Sequence, residues 1–144
     1  MRFMVLVPAN KLSEGGQIPT TEQLAKMQKY NEELVKAGVM LDGNGLTPSS
    51  KGARVVFEGK KTTVVDGPFA ESKELVAGYW IWEVRSKEEA VEWLKRAPFG
   101  SFGDERVSVE IRPIFGPDDF AASDPDGELR KKEAALRAEV EKRG

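Results

Sequence analysis

Apolar positions along the chain change their period several times, and each change marks a predicted element. Arg2 to Pro8 is an apolar run rich in β-formers, bounded by Pro8 and a polar, Gly-containing loop from Asn10 to Pro19, which predicts a central strand. From Thr20 the period becomes helical, with Leu24, Met27, Asn31, Leu34 and Val35 on one side. Thr20 and Gln23 have capping-box spacing, Gly38 stands at the C′ position, and Asn31 is read as a boundary residue bonded to backbone. Val39 to Leu46 predicts a second strand, bent or bulged at Gly43 and Gly45. Arg54 to Phe57 and Thr62 to Val65 flank Glu58-Gly59-Lys60-Lys61 and predict a hairpin.

The hairpin delivers the chain to Asp66-Gly67-Pro68, a corner in which Gly67 offers freedom at positive φ and Pro68 fixes φ. A short helical or turn segment, Glu71 to Leu75, leads to Ala77 to Val84, which alternates Tyr79, Ile81 and Glu83 against Gly78, Trp80, Trp82 and Val84. Ser86 to Pro98 predicts a helix, with Ser86 and Glu89 as its capping box and Ala90, Trp93, Leu94 and Ala97 facing the tryptophans. A link through Phe99, Gly100 and Phe102 reaches a last strand, Arg106 to Phe115, in which Val107, Val109 and Ile111 alternate with Ser108, Glu110 and Arg112. Gly116 to Asp126 reads as loop, and Glu128 to Arg143 as a helix with sparse apolar positions Leu129, Leu136 and Val140, which docks on some surface or frays.

The order strand, helix, strand, hairpin, strand, helix, strand predicts an α+β, ferredoxin-like split βαβ fold. Its antiparallel sheet carries both helices on one face. A domain over residues 1–120 is followed by a polar linker and helical tail over 121–144. Tyr79 and Ile81 fall on the face away from the helices together with Glu83, Glu110 and Arg112. Such a mixed surface predicts a homodimer with a partly polar cleft between the sheets.

Composition narrows the chemistry. The chain of 144 residues has no cysteine and no histidine, which removes disulfides, thiolate ligands, and the commonest metal ligand and general base. A formal charge of −2 with dispersed basic residues predicts no direct nucleic-acid contact. The apolar run at the N-terminus is too short for a membrane span or a secretory segment, so the expectation is a cytoplasmic protein without membrane contact. There is no phosphate-binding loop, no dinucleotide fingerprint, and no calcium loop, since Asp118-Asp119 lacks the remaining ligand spacing. No cofactor and no metal are indicated.

Chemistry then falls to a few groups. Asp66 reads either as an acid, base or anchor on a stiff corner, or as a turn residue that accepts backbone N–H bonds and caps the segment from Glu71. Lys73 would hold a carboxylate or serve as a nucleophilic amine, against the plainer role of a solvated charge shared with Glu71 and Glu74. Tyr79 would donate its phenol proton to a ligand or pack an interface, and Phe69 packs in the core. Arg112 suits bidentate binding of an anion, or an intersubunit ion pair with Glu110 or Glu83. Ser49 and Ser50 have no base beside them in the sequence and read as loop residues.

Asp66-Gly67-Pro68-Phe69-Ala70-Glu71-Ser72-Lys73-Glu74 with Gly78-Tyr79 behind it resembles the DGPF branch of the YCII-related proteins. The likeness extends over Gly38-Val39-Met40, Leu46-Thr47-Pro48, Glu92-Trp93, Glu110-Ile111-Arg112-Pro113 and Asp118-Asp119-Phe120, from Arg2 to about Phe120. The resemblance implies a ferredoxin-like fold paired as a dimeric α/β barrel, with Asp66 close to a cleft. Wider YCII-related proteins are suspected of enzymatic activity through a His and Asp pair, which does not transfer to a chain without histidine. DGPF proteins are often associated with extracytoplasmic-function sigma factors. Two functions follow: a homodimer that binds a small polar or anionic organic molecule, with turnover by carboxylate acid/base chemistry; or a non-catalytic regulatory or interaction module associated with such a sigma factor.

Overall fold

Four strands build the main sheet of the computed structural model, which describes residues 1–101 and 106–144, without the side chains of Lys73 and Ser101. They are β1 (Arg2–Pro8), β2 (Met40–Gly45), β5 (Val76–Glu83) and β6 (Glu110–Pro113), in the order β2-β5-β1-β6 and antiparallel throughout. β3 (Ala53–Glu58) and β4 (Lys61–Asp66) pair only with each other. With α2 (Thr21–Lys36) joining β1 to β2 and α3 (Lys87–Lys95) joining β5 to β6, the topology is the ferredoxin-like split βαβ with a hairpin insertion. The described chain divides into the units Met1–Pro113 and Ile114–Gly144.

The register shows why the elements pack as they do. Phe3 lies opposite Trp82 and Val5 opposite Trp80, and these four form one core with Tyr30 and Leu34 of α2 and Ala90 of α3. Trp80 is the hub. Its ring centroid lies 5.7 Å from that of Trp82, 5.8 Å from Tyr30 and 6.1 Å from Phe99. Its indole N–H donates to Asn31 Oδ1 at 2.9 Å, so Asn31 bonds a side chain and not backbone. Gly43 of β2 is opposite Trp80, and a Cβ there would stand 2.7 Å from the indole Cδ1, so this glycine is required by close approach.

Several local expectations are corrected. The buried face of α2 runs through Tyr30 and Leu34, whereas Leu24 and Val35 are 56% and 61% exposed; the phenol of Tyr30 donates to the carbonyl of Trp93 at 2.6 Å and orients the helix. Burial pushes the Tyr30 phenol above its ordinary value, keeping it a donor. Thr20 and Gln23 form the full capping box, but at α3 only half of one forms. Ser86 accepts from Glu89 N–H, while the Glu89 carboxylate turns to Arg85, whose bond holds it below the ordinary carboxylate value. The loop after β1 contains a short helix, α1 (Lys11–Glu14), capped by Asn10 and Ser13. β6 is shorter at both ends than the predicted Arg106–Phe115: it pairs with β1 only from Leu6 opposite Glu110 to Phe3 opposite Pro113, and on the Glu110 side β1 soon reaches Pro8, which has no N–H to give. Phe102 lies outside the described residues.

The second unit is organised by one carboxylate. α4 (Glu128–Arg143) has no buried residue, and its N-cap Gly127 supplies no side chain. Asp124 substitutes for the missing cap, accepting N–H bonds from Leu129 at 3.0 Å and Arg130 at 2.9 Å, while the Arg130 guanidinium bridges Asp124 and Asp118. Desolvation raises the proton affinity of Asp124, but the N–H donors and the guanidinium outweigh it and hold the carboxyl below its ordinary value.

Two outcomes are expected. Trp82 buries an indole N–H with no partner among the described residues, whereas Trp80 uses its own. In urea denaturation Trp80→Phe therefore loses more stability than Trp82→Phe, by about 1–3 kcal/mol, since it strands Asn31 while the other change removes an unsatisfied donor. In NMR amide exchange corrected for intrinsic rate, Leu129 and Arg130 are protected above the ordinary carboxylate value of about 3.9 and lose protection as pH falls through the depressed value of folded Asp124; Asp124→Asn lacks that transition.

Candidate functional site

The face of the sheet away from the helices carries two rows of side chains fixed by strand register. Glu110, Leu6, Tyr79 and Asn44 form one row, and Arg112, Met4, Ile81 and Asp42 the next. Met4, Leu6, Tyr79 and Ile81 are half-buried along the middle of the face, and charged groups occupy both sides of them. A register shift between Met40 and Asp42 gives β2 one extra residue and brings Asp42 and Asn44 beside Tyr79. The Tyr79 phenol oxygen accepts from Asn44 Nδ2 at 3.0 Å and donates to Asp42 Oδ2 at 3.4 Å; Asp42 Oδ1 accepts from Gly43 N–H at 2.9 Å and from Asn44 Nδ2 at 3.3 Å.

Arg112 lies on the same face two strands from Tyr79, a lateral separation of roughly 10 Å at normal strand spacing. Its Nε is 3.6 Å from the Glu110 carboxylate, with the two side chains 72% and 61% exposed. A pair this long and wet holds Arg112 weakly and leaves its donors open to an anion. Glu83 is engaged by the N-terminal amine at 3.3 Å.

The Asp66 corner is built elsewhere, at the base of the hairpin. Gly67 is not in a left-handed conformation; a Cβ there would lie 1.8 Å from the Ser49 carbonyl oxygen, so close approach of the 47–52 loop selects glycine. The Gly67–Pro68 peptide is cis, and Gly67 N–H donates to Gly52 at 3.1 Å. Ser49 Oγ accepts from Phe69 N–H at 3.1 Å and donates to Glu14, whose carboxylate also accepts Ser49 N–H at 2.9 Å. Those two bonds from Ser49 hold Glu14 below the ordinary carboxylate value, which suits an ionised acceptor and not a base for a serine nucleophile.

Asp66 itself ends β4, exposed, paired along the backbone with Ala53, and its carboxylate has no hydrogen-bond or ion-pair partner among the described residues. It caps nothing: the 3-10 turn Ser72–Glu74 has no side-chain cap. Phe69 is outside the core, half-buried under the Arg54 guanidinium, 3.8 Å from its ring centroid. The Lys73 side chain lies outside the described part of the chain. One chain thus brings Tyr79 and Arg112 to a common face and leaves Asp66 on the hairpin. Asp42, Asn44 and Glu14 were missed in the sequence, where only the bulge at Gly43 hinted that Asp42 and Asn44 share the register of Tyr79. Among the described residues no group of His, Cys, Asp or Glu side chains could hold a metal ion.

Compared with known proteins, the chain matches the YCII-related domain over residues 1–115. An uncharacterised protein of Rhizobium meliloti is 30% identical over 88 residues, which make up 61% of this chain and 69% of that protein. Among solved structures, the 5-chloro-2-hydroxyhydroquinone dehydrochlorinase of Burkholderia phenoliruptrix, in complex with 2,5-dihydroxybenzoquinone, is similar at 21% identity and a TM-score of 0.43, over 81% of this chain and 96% of that one. Since the domain match takes in the whole sheet, α2, α3 and the hairpin, the chain belongs to the YCII-related family.

Proposed function

We propose that the protein is a homodimer that binds a small polar or anionic organic molecule against the open face of its sheet. The composition of that face carries the reading. Met4, Leu6 and Ile81 offer an apolar floor, Tyr79 is oriented by Asp42 and Asn44, and Arg112 supplies a cation with donors to spare. A bound carboxylate would engage Arg112, its carbon skeleton would lie over the floor, and a carbonyl or hydroxyl oxygen would meet the Tyr79 phenol. Lys73 is a second cation for the same ligand. Turnover would draw on Asp66 as the acid or base, since the chain has no histidine to take that part. The Asp66-Gly67-Pro68-Phe69 run supports membership of the DGPF branch.

A second reading, a regulatory module associated with an extracytoplasmic-function sigma factor, is favoured by α4, whose Leu129, Leu136 and Val140 are all exposed. Both roles are cytoplasmic ones. No described helix is long and apolar enough to cross a membrane.

Thermal unfolding with benzoate, salicylate, succinate and malonate separates the readings. Ligand at a hundredfold excess over Kd adds about 2.7 kcal/mol and raises Tm by several degrees. Benzoate is expected to do so for the wild type and less for Arg112→Ala and Tyr79→Phe, each shift being read against that variant's own unliganded Tm. No response to any of the four compounds, or an undiminished response in Arg112→Ala, defeats the ligand reading; capture of a sigma factor that is lost on truncation after Asp126 would favour the second.

A further inference from the structure

All twelve residues of β3 and β4 are exposed, yet five of them are valine or phenylalanine. Cross-strand register sorts them: Val55 is opposite Val64, Phe57 opposite Thr62 and Ala53 opposite Asp66. Val55, Phe57 and Val64 therefore share one face of the ribbon, 53%, 73% and 65% exposed, and Asp66 shares it with them. A two-stranded ribbon has no interior and is marginal in water by itself. An apolar face of this kind marks a contact surface, and whatever covers it also covers Asp66.

The same chain has a second apolar surface, the half-buried strip Met4, Leu6, Tyr79 and Ile81, and within one chain the hairpin does not cover it, since all twelve hairpin residues are exposed. Each is edged by a charge of opposite sign: Asp66 has no partner among the described residues, and Arg112 has only the long contact to Glu110. The hairpin is fixed at its base by the Gly67, Phe69 and Arg54 contacts and uncovered along its length. Six residues in each strand give it a reach of about 20 Å, enough to cross a four-stranded sheet roughly 14 Å wide.

Building on the ligand reading above, we infer that the Val55–Phe57–Val64 face of each hairpin docks on the open sheet face of a second copy of this chain and carries Asp66 to Arg112 of the partner subunit. The site is then composite. One chain supplies the acid/base carboxylate, and the other supplies the apolar floor, the phenol and the guanidinium. A two-fold axis makes the exchange reciprocal, so each dimer holds two such sites.

The absence of cysteine makes the docking directly testable. Tagged Phe57→Cys chains mixed with untagged Ile81→Cys chains and a short bis-maleimide are expected to give a mixed cross-linked dimer, and much less with Lys95→Cys on α3; equal yields overturn the inference. In sedimentation equilibrium Phe57→Ser, with unchanged far-UV circular dichroism, is expected to weaken dimerisation at least tenfold, and an unchanged dimer again overturns it. Asp66→Arg and Arg112→Asp should each weaken the dimer, and the double variant should recover most of the loss; a double variant no better than the worse single one removes the Asp66 to Arg112 contact. None of these measurements uses a ligand. A cross-linked dimer indifferent to benzoate therefore supports the docking while defeating the ligand reading, and a benzoate response on a dimer that fails to cross-link does the reverse.

Discussion

Everything on either face of the sheet depends on the alternation of β5, which is paired on both sides, by β1 and by β2. Its even-numbered aromatic residues, Trp80 and Trp82, must point to the helices, and Tyr79 and Ile81 must then point away. A slip of one residue would exchange the two sets, placing a phenol in the core and two indoles in water. The bond from Trp80 to Asn31 opposes that slip through a specific polar contact, in addition to the area the rings bury. Gly43 belongs to the same constraint, because any side chain there would collide with the Trp80 ring. The surface read as a binding face is thus the reverse side of the core: its apolar strip is where it is because the tryptophans are where they are.

Much of this was legible in the sequence because it is local. Period-two alternation at Ala77 to Val84, the Thr20 and Gln23 cap and the Gly59 turn are each written within a few residues, and each predicts its element. The ferredoxin-like order follows from their succession. Features that depend on distant partners were not legible. The buried face of α2 is turned toward Tyr30 because a carbonyl from α3, sixty-three positions away, accepts the phenol. The length of β6 depends on the stretch of β1 it pairs with, Phe3 to Leu6, and the proximity of Asp42 to Tyr79 requires knowing on which side of the bulge the register resumes.

The corner at Asp66 illustrates the same division. The sequence marks it as a rigid turn, and it is one, but the rigidity has another origin than positive φ at Gly67. Ser49, with its carbonyl against Gly67 and its hydroxyl between Glu14 and Phe69, holds the corner from outside. Glu14, on a helix too short to show any periodicity, completes that contact as an ionised acceptor. What this arrangement fixes is the direction in which the hairpin leaves the body, since Gly52 and Gly67 at its two ends are joined by a hydrogen bond. Any chemistry at Asp66 would therefore depend on where the arm goes.

A carboxylate in open water does little, because water competes for its hydrogen bonds and screens its charge. The same holds for the Tyr79, Asp42 and Asn44 cluster, whose bonds of 3.0 to 3.4 Å are long and exposed. Enzymes without histidine obtain reactivity from such groups by removing water around them, which strengthens every remaining interaction and separates the proton affinities of neighbouring acids. Neither the hairpin nor the open sheet face can exclude water within one chain. Pairing them across two chains would do so for Asp66, Tyr79 and Arg112 at once, and only then could an exposed corner on an apolar arm act as part of a site. On this reasoning, dimerisation through the hairpin is a precondition of any chemistry at Asp66.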